Sequence, residues 1–257
     1  MNKTLKFVMV AVVAMFAAVA SAGTRIIAHR GYWTLAGSAQ NSIASLEATH
    51  HIGAYGSEFD VWITQDNQLV VNHNPEIGGV TIETAKYKDI KDKTLKNGET
   101  ISTLKQYLED GKQHCQGTQL ILEIKPHKVQ ADEDRCVDAV VKMVADEGMA
   151  QQVEYISFSM KACERLVAAG AKNVSYLGSD VEPKVIKEKG MSGIDYAGPA
   201  FAVHPEWIKQ AHDLGLTVNV WTIDDLDDVD DFIKAGVDFI TTNKPVEAMK
   251  LAKQGVK

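Results

Sequence analysis

Short apolar runs of four to eight residues alternate along the chain with longer stretches whose apolar residues recur at helical spacing. The strand-type runs lie at 24–28, 57–64, 119–124, 153–158, 173–177, 193–196, 217–221 and 237–241. The helix-type stretches that follow them lie at 41–51, 102–110, 131–147, 160–169, 183–189, 205–214, 225–235 and 246–253. Glycine directly follows several of these stretches, as at Gly170, Gly215 and Gly236, and favours the left-handed turn that ends a helix.

This alternation comprises eight strand–helix units and predicts a parallel sheet with helices outside it. Eight units predict closure into a single (β/α)8 TIM barrel. A small insertion is expected after the second strand, where 68–72 reads as a short returning strand and a loop region extends to about residue 100. An open doubly wound sheet is the alternative, but the glycine-rich phosphate loop that usually follows its first strand is absent.

The first 22 residues read as a secretory signal peptide. Lys3 and Lys6 precede an apolar run at 7–19, and A-S-A at 20–22 supplies the small residues of a cleavage site. The run is short for a transmembrane anchor, which needs about 20 apolar residues. We therefore expect a signal peptide at 1–22, one barrel domain at 23–257, a periplasmic or secreted location, and no stable membrane insertion after cleavage.

Charge and cysteine content narrow the classes of partner. Removing the two signal lysines from the formal net charge of −7 leaves −9, which argues against nucleic acid or an anionic membrane as the main partner. An anionic substrate must then be attracted by a metal ion or by a few placed cations. The three cysteines match no zinc motif, and the sequence leaves their disulfide status and the oligomeric state open.

Acidic side chains are concentrated on two neighbouring predicted strands. Glu58 and Asp60 are two residues apart, so both carboxylates lie on one face, and Glu123 and Lys125 repeat this spacing on the next strand. Buried carboxylates repel each other, and a hard divalent cation such as Ca²⁺ or Mg²⁺ would relieve that repulsion. We therefore expect Glu58, Asp60 and Glu123 to bind a cation and Lys125 to hold a phosphate oxygen. An interior salt-bridge network is the alternative.

Further polar residues follow other strands at the same predicted rim. His29 and His73 can take and give a proton near neutral pH, which suits general acid–base catalysis. Arg30 can bridge phosphate oxygens or instead pair with a neighbouring carboxylate. Trp221 either lines the substrate pocket or packs in the core.

Six short motifs occur in a fixed order along these strand ends. They are H-R-G at 29–31, E-F-D-V-W-I-T-Q-D at 58–66, V-N-H-N at 71–74, L-E-I-K at 122–125, V-N-V-W-T at 218–222 and G-V-D-F-I-T-T-N-K-P at 236–245. Together they resemble the glycerophosphodiester phosphodiesterase family over nearly all of the chain after residue 22. The family usually has a glutamate where Gln40 stands and an aspartate where Asn74 stands, so two acidic groups are missing here.

The resemblance implies hydrolysis of a small-molecule glycerophosphodiester to glycerol 3-phosphate and an alcohol. It assigns His29 and His73 as the acid–base pair, the three carboxylates as ligands of a divalent cation, and Lys125 and Arg30 as phosphate-binding groups. Two alternatives stay open at this point. One is a phospholipase D-like lipid phosphodiesterase on the same barrel, which would need an apolar loop, whereas 74–100 is polar. The other is a non-catalytic periplasmic binder of phosphorylated alcohols.

Overall fold

The computed structural model describes residues 23–254. The predicted signal peptide at 1–22 lies outside this range, and it stays a prediction. Within the described range, no helix is long and apolar enough to cross a membrane.

Strands and helices alternate as the sequence predicts. The strands are Arg25–Ala28 (β1), Gly56–Ile63 (β2), Leu69–Val71 (β3), Glu76–Ile77 (β4), Val80–Thr81 (β5), Gln119–Ile124 (β6), Val153–Ser157 (β7), Val174–Gly178 (β8), Gly193–Ala197 (β9), Thr217–Trp221 (β10) and Phe239–Thr242 (β11). The helices are Ile43–His51 (α1), Tyr87–Ile90 (α2), Leu104–His114 (α3), Gln130–Asp146 (α4), Met160–Ala168 (α5), Pro183–Glu188 (α6), Gly198–Val203 (α7), Glu206–Asp213 (α8), Leu226–Ala235 (α9) and Pro245–Gln254 (α10). A 3-10 turn covers Ile82–Thr84.

Local chemistry sets several of these boundaries. The Ser42 hydroxyl accepts from the Ser45 amide at the start of α1, and Thr103 forms a capping box with Gln106 at the start of α3. Helix α9 ends at Gly236, whose φ of 80° is left-handed. All eight residues of β2 are buried, because a barrel strand is covered on both faces.

Eight parallel strands close into the barrel. Their order is β1, β11, β10, β9, β8, β7, β6 and β2, and β2 pairs again with β1 through Ser57 and Ala28. Strand β3 pairs antiparallel with the end of β2, as expected for the returning strand. The prediction of a (β/α)8 barrel with an insertion after the second strand is confirmed.

The apolar residues form a layer outside the barrel and a smaller plug inside it. The outer layer packs the strands against the helices, as where Phe59 stacks on Tyr107 of α3 with ring centroids 4.3 Å apart. The inner plug contains Ile27, Ile121, Ile156, Leu177 and Phe239. The plug fills the barrel, so the polar strand ends lie above a closed apolar floor rather than in a channel.

All three cysteines lie in the outer layer. They are buried, and in the part of the chain that the structure describes none of them forms a disulfide. Burial raises the pKa of the Cys115 thiol to about 12, which keeps it protonated and unreactive. Their role is that of small apolar residues in the core.

Two features differ from the sequence expectation. The loop region after β3 contains the β4–β5 hairpin, the 3-10 turn and α2, and its apolar residues form a separate cluster with Trp62 and Val70. Helix α7 was not predicted, because its sequence G-P-A-F-A-V is too short to show helical periodicity.

Candidate active site

A pocket opens at the carboxyl ends of the barrel strands. Its cavity volume is about 140 Å³. It is lined by His29, Arg30, Glu58, His73, Glu123, Lys125, Ile156, Phe158, Leu177, Asp195, Trp221, Thr222 and Thr241. Seven of the eight candidate residues from the sequence line it directly, and the eighth, Asp60, lies beneath it and contacts Lys125. A barrel places its catalytic residues at this same end.

Three buried carboxylates converge on one point at the base of the pocket. Glu58, Asp60 and Glu123 each offer an oxygen within 4.8 Å of the other two. The parallel pairing of β2 with β6 sets Asp60 directly beside Glu123, and Glu58 lies two residues earlier on the same face of β2. One oxygen of Glu58 accepts from the Arg30 amide at 2.8 Å, while the other, Oε1, has no hydrogen-bond partner among residues 23–254.

Lys125 bridges two of these carboxylates. Its Nζ lies 3.1 Å from Asp60 Oδ1 and 2.7 Å from Glu123 Oε1. The first contact is a hydrogen bond, whereas the angle of the second lies outside hydrogen-bond geometry, so we treat it as an ion pair. The interior salt-bridge network considered from the sequence is therefore present, but one ammonium group faces three carboxylates.

The pKa values of the three carboxyl groups reflect this excess of negative charge. Burial, together with the neighbouring Asp60, raises the pKa of Glu58 well above its usual value and that of Glu123 to about 8. Burial also acts to raise the pKa of Asp60, but Lys125 and other partners outweigh it and lower that pKa. Without a further cation, two of the three acids favour their protonated forms.

The loop after β1 places Arg30 over this cluster. Arg30 adopts a left-handed φ of 55°, and Gly31 follows with a φ of 74°. A Cβ on Gly31 would lie 2.3 Å from Ser45 Oγ, so only glycine fits there. The Arg30 side chain donates to Gln40 Oε1 at 2.8 Å and lies 3.9 Å from Asp60. Gln40, the first departure from the family pattern, therefore holds Arg30 without neutralising it.

His29 is held by an amide that is itself fixed from two sides. Its Nδ1 lies 3.0 Å from Asn243 Oδ1, which also accepts from Trp33 Nε1 at 2.9 Å. Asn243 Nδ2 donates to Asp224 at 2.8 Å. Because Trp33 can only donate and an ionised Asp224 can only accept, the orientation of the amide is determined. Nδ1 of His29 is then the protonated nitrogen, and Nε2 is the one that can exchange a proton.

The second histidine follows β3, which pairs with β2, and is held more loosely. His73 Nδ1 lies 2.8 Å from Oδ1 of Asn74, the second departure from the family pattern, and this pair is exposed. Burial, then the charge of Arg30, lowers the pKa of His29 to about 4, whereas the pKa of the less buried His73 is lowered more modestly. His29 is thus neutral at pH 7, and His73 is the more readily protonated of the two.

The far wall of the pocket is apolar apart from one carboxyl group. Trp221 meets Phe158 edge to face at 5.4 Å, and its indole N–H donates to the main-chain oxygen of Asp195 at 2.9 Å. The Asp195 side chain is 2% exposed. Burial raises its pKa to about 7, although Asn219 acts in the opposite direction.

Sequence reasoning did not single out four polar residues at or near the pocket. Asn41 both donates to and accepts from Asp60, at 2.8 and 3.0 Å. Asp224 and Asn243 lie behind His29, and Asp195 lies in the far wall. Asn41 and Asn243 lie in or beside family-like motifs and could have been found there, whereas Asp195 interrupts a weak strand pattern that offers no such signal.

The chain is similar to a known family of enzymes in sequence. A family model described as glycerophosphoryl diester phosphodiesterase matches residues 29–247, a range that includes every candidate residue. A curated relative, the glycerophosphodiester phosphodiesterase of Caldanaerobacter subterraneus subsp. tengcongensis, is 25% identical over 250 residues, covering 90% of this chain and 99% of that protein.

It is also similar to solved structures. A glycerophosphodiester phosphodiesterase from Parabacteroides distasonis superposes with a TM-score of 0.89 at 44% identity, covering 91% of this chain and 99% of that one. A phosphodiesterase from Oleispira antarctica, solved in complex with the product sn-glycerol-3-phosphate, has a TM-score of 0.76 at 21% identity, covering 90% of this chain and 97% of that one. At that identity, the second likeness bears on the fold alone.

Proposed function

The chain belongs to the glycerophosphoryl diester phosphodiesterase family, and from this premise we propose that it hydrolyses glycerophosphodiesters to glycerol 3-phosphate and an alcohol with a divalent cation and two histidines. One observation carries the proposal. Three buried carboxylates, of which one oxygen has no partner in the described structure, lie in the same pocket as two histidines, a lysine and an arginine.

The carboxylate cluster fits a hard divalent cation. Glu58, Asp60 and Glu123 are oxygen ligands of the kind that Ca²⁺ and Mg²⁺ prefer. The raised pKa values of Glu58 and Glu123 and the unpartnered Glu58 Oε1 are what a site lacking a positive charge would show. When bound, the cation would polarise the phosphodiester and favour the deprotonated nucleophile. The carboxylates do not distinguish Ca²⁺ from Mg²⁺.

Lys125 and Arg30 would bind the phosphate oxygens. Although burial alone would lower it, the pKa of Lys125 is raised by Asp60 and Glu123, so the ammonium stays charged. Arg30 also lines the pocket, where its guanidinium lies 3.9 Å from Asp60 and donates to Gln40. Two fixed positive groups favour the negative charge that accumulates on the phosphate oxygens in the transition state.

The two histidines would carry the two proton transfers of the reaction. His29 would remove a proton through Nε2, because Asn243 holds the proton of Nδ1 and the ring is neutral at pH 7. His73 would protonate the departing alcohol, because it is the less buried ring and its pKa is lowered less. The nucleophile is either water or an adjacent hydroxyl of the substrate, and the second route passes through a cyclic phosphate. Trp221 would support the carbon skeleton.

A lipid substrate on the same barrel is the second candidate function. Several exposed apolar residues follow the barrel strands at the catalytic face: Leu35 after β1, Val129 after β6, Phe158 after β7 and Val203 at the end of α7, with exposed fractions of 45%, 55%, 41% and 71%. They are the apolar rim that a lipid phosphodiesterase would need, although the segment 74–100 remains polar. The non-catalytic binder is less well supported, since binding alone does not require a held and oriented imidazole.

Product release tests the proposal. The purified protein should release glycerol 3-phosphate from glycerophosphoethanolamine, glycerophosphocholine and glycerophosphoglycerol with Ca²⁺ or Mg²⁺ and not with EDTA. A lysophospholipid is included as the lipid arm, and there the free alcohol is measured, because the other product keeps its acyl chain and is lysophosphatidic acid. Release of the alcohol from the lysophospholipid alone would favour the second candidate. A folded protein that binds the cation but releases nothing from any substrate would refute both hydrolytic functions.

A further inference from the structure

Asp195 is a carboxyl group in the pocket to which the proposed reaction gives no role. It lies in the middle of β9, is 2% exposed, and lines the same pocket as His29 and Lys125. Its Oδ1 has no hydrogen-bond partner within residues 23–254. Buried carboxylate oxygens are normally hydrogen-bonded, so a group of this kind points to a ligand or water that completes it.

The neighbouring Asn219 acts on the Asp195 carboxyl group and lowers its pKa, but it does not give Oδ1 a hydrogen-bond partner. Asn219 on β10 is the register partner of Asp195, and its Nδ2 donates to Thr241 Oγ1 at 2.9 Å. The amide oxygen of Asn219 is itself buried and without a partner in the described chain. Asp195 Oδ1 and Asn219 Oδ1 are therefore both open to hydrogen-bond donors of a molecule bound in the pocket.

The position of Asp195 in the barrel limits which part of a substrate it can meet. Three strands separate β9 from β2 in either direction around the barrel, so Asp195 faces the metal-type carboxylates from the opposite wall. A phosphate group is repelled by a carboxylate and is attracted to Lys125 and Arg30 on the other side. Between Asp195 and the two cationic side chains, the pocket is lined by apolar residues that include Ile156, Leu177 and Trp221.

We propose that Asp195 is a specificity residue that accepts a hydrogen bond from a hydroxyl or ammonium group on one arm of the phosphodiester. The proposal rests on the proposed function. The pocket would then hold its substrate at two points, with the phosphate at β1, β2 and β6 and a donor-bearing arm at β9. The donor is either a hydroxyl of the glycerol arm, which all substrates share, or a polar group of the other alcohol.

The test measures kcat/KM of wild type, Asp195→Asn and Asp195→Ser with four substrates. Glycerophosphoethanolamine and glycerophosphoglycerol carry a donor on both arms, glycerophosphocholine carries one only on glycerol, and bis(p-nitrophenyl) phosphate carries none. We expect a loss of roughly 10- to 100-fold wherever the donor is engaged, because a hydrogen bond to a charged group is lost. Activity on bis(p-nitrophenyl) phosphate should be unchanged. Asp92→Asn, at an exposed carboxylate, is the matched control.

The outcomes separate the two sources of the donor. Equal losses on all three glycerophosphodiesters place the donor on glycerol, whereas losses that spare glycerophosphocholine place it on the other alcohol. Unchanged kcat/KM on every glycerophosphodiester would overturn the proposal, and so would an equal loss on bis(p-nitrophenyl) phosphate, which would indicate a structural role. A wild-type protein that hydrolyses no glycerophosphodiester would instead overturn the proposed function, and this inference with it.

Discussion

Replacing Asp195 with asparagine removes a buried ionisable group while keeping the size of the side chain. Because the pKa of Asp195 is raised in the folded state, folding opposes its ionisation. Wild type therefore loses stability as the pH rises from the unfolded pKa of 3.8 to the folded pKa of about 7, and the loss is complete above that. Asparagine does not ionise, so the variant should escape this loss.

The size of the effect follows from the two pKa values. One pKa unit corresponds to about 1.36 kcal/mol. A folded-state pKa of about 7 against an unfolded value of 3.8 therefore lowers the free energy of unfolding of the wild type by roughly 4 kcal/mol above pH 7. For a domain of this size about 1 kcal/mol moves the melting temperature by roughly 2–4 °C. Asp195→Asn should therefore melt about 8–16 °C above wild type at pH 8 and within about 2 °C of it at pH 4.

Thermal unfolding followed by circular dichroism in EDTA at pH 4, 6 and 8 measures this difference. Asp92→Asn serves again as control and should follow wild type at every pH, since surface changes are usually worth less than about 0.5 kcal/mol. A variant that melts below wild type at pH 8 would refute the reasoning, because it would mean that the Asp195 carboxylate makes net favourable contacts in the folded protein. An equal rise in melting temperature at all three pH values would also refute the reasoning, because the effect would then not depend on ionisation of Asp195.

Three further predictions concern the proposed mechanism. His29→Ala and His73→Ala should each lower kcat by about 10²- to 10⁴-fold with unchanged melting temperature, and normal turnover in both would contradict the acid–base assignment. Glu58→Gln should weaken cation binding at least about tenfold, as measured by calorimetry. In EDTA the same variant should melt at a higher temperature, because Gln is not repelled by the buried carboxylates of Asp60 and Glu123. A lower melting temperature would count against the cation site. Asn243→Ala should lower kcat and move the acidic limb of the pH–rate profile to lower pH, because the hydrogen bond that His29 Nδ1 donates to Asn243 Oδ1 raises the pKa of His29; an unmoved limb would argue against that role.

The sequence could predict the barrel and much of the site because both depend on short-range patterns. The period of apolar residues that marks a strand or a helix can be recognised within about ten residues. Eight strand–helix units in succession then favour one arrangement, a parallel sheet closed into a barrel. The spacing of Glu58 and Asp60 fixes their common face on any strand, and the same holds for Glu123 and Lys125. That these two strands are neighbours, in the register that sets Asp60 beside Glu123, follows from barrel topology.

The contacts that hold the site could not be predicted in the same way, because they join distant parts of the chain. His29 and Asn243 are separated by 214 residues and meet only because the last strand closes on the first. Asp195 gains its position opposite the carboxylates only once eight strands have closed. Helix α7 is six residues long and is set by its contacts with β9 and α8 rather than by any period of its own.

The segment from Ile77 to Ile101 packs as a unit that is separate from the main core. Its apolar residues contact one another and the two residues Trp62 and Val70, rather than the layer between strands and helices. Its other links to the barrel are polar: Glu99 accepts from the amides of Ile43 and Ala44 at the start of α1, and Glu83 accepts from the amide of Lys128. A segment held in this way could be exchanged between relatives at 77–101 without disturbing the main core, provided that the packing on Trp62 and Val70 and these carboxylate contacts are kept.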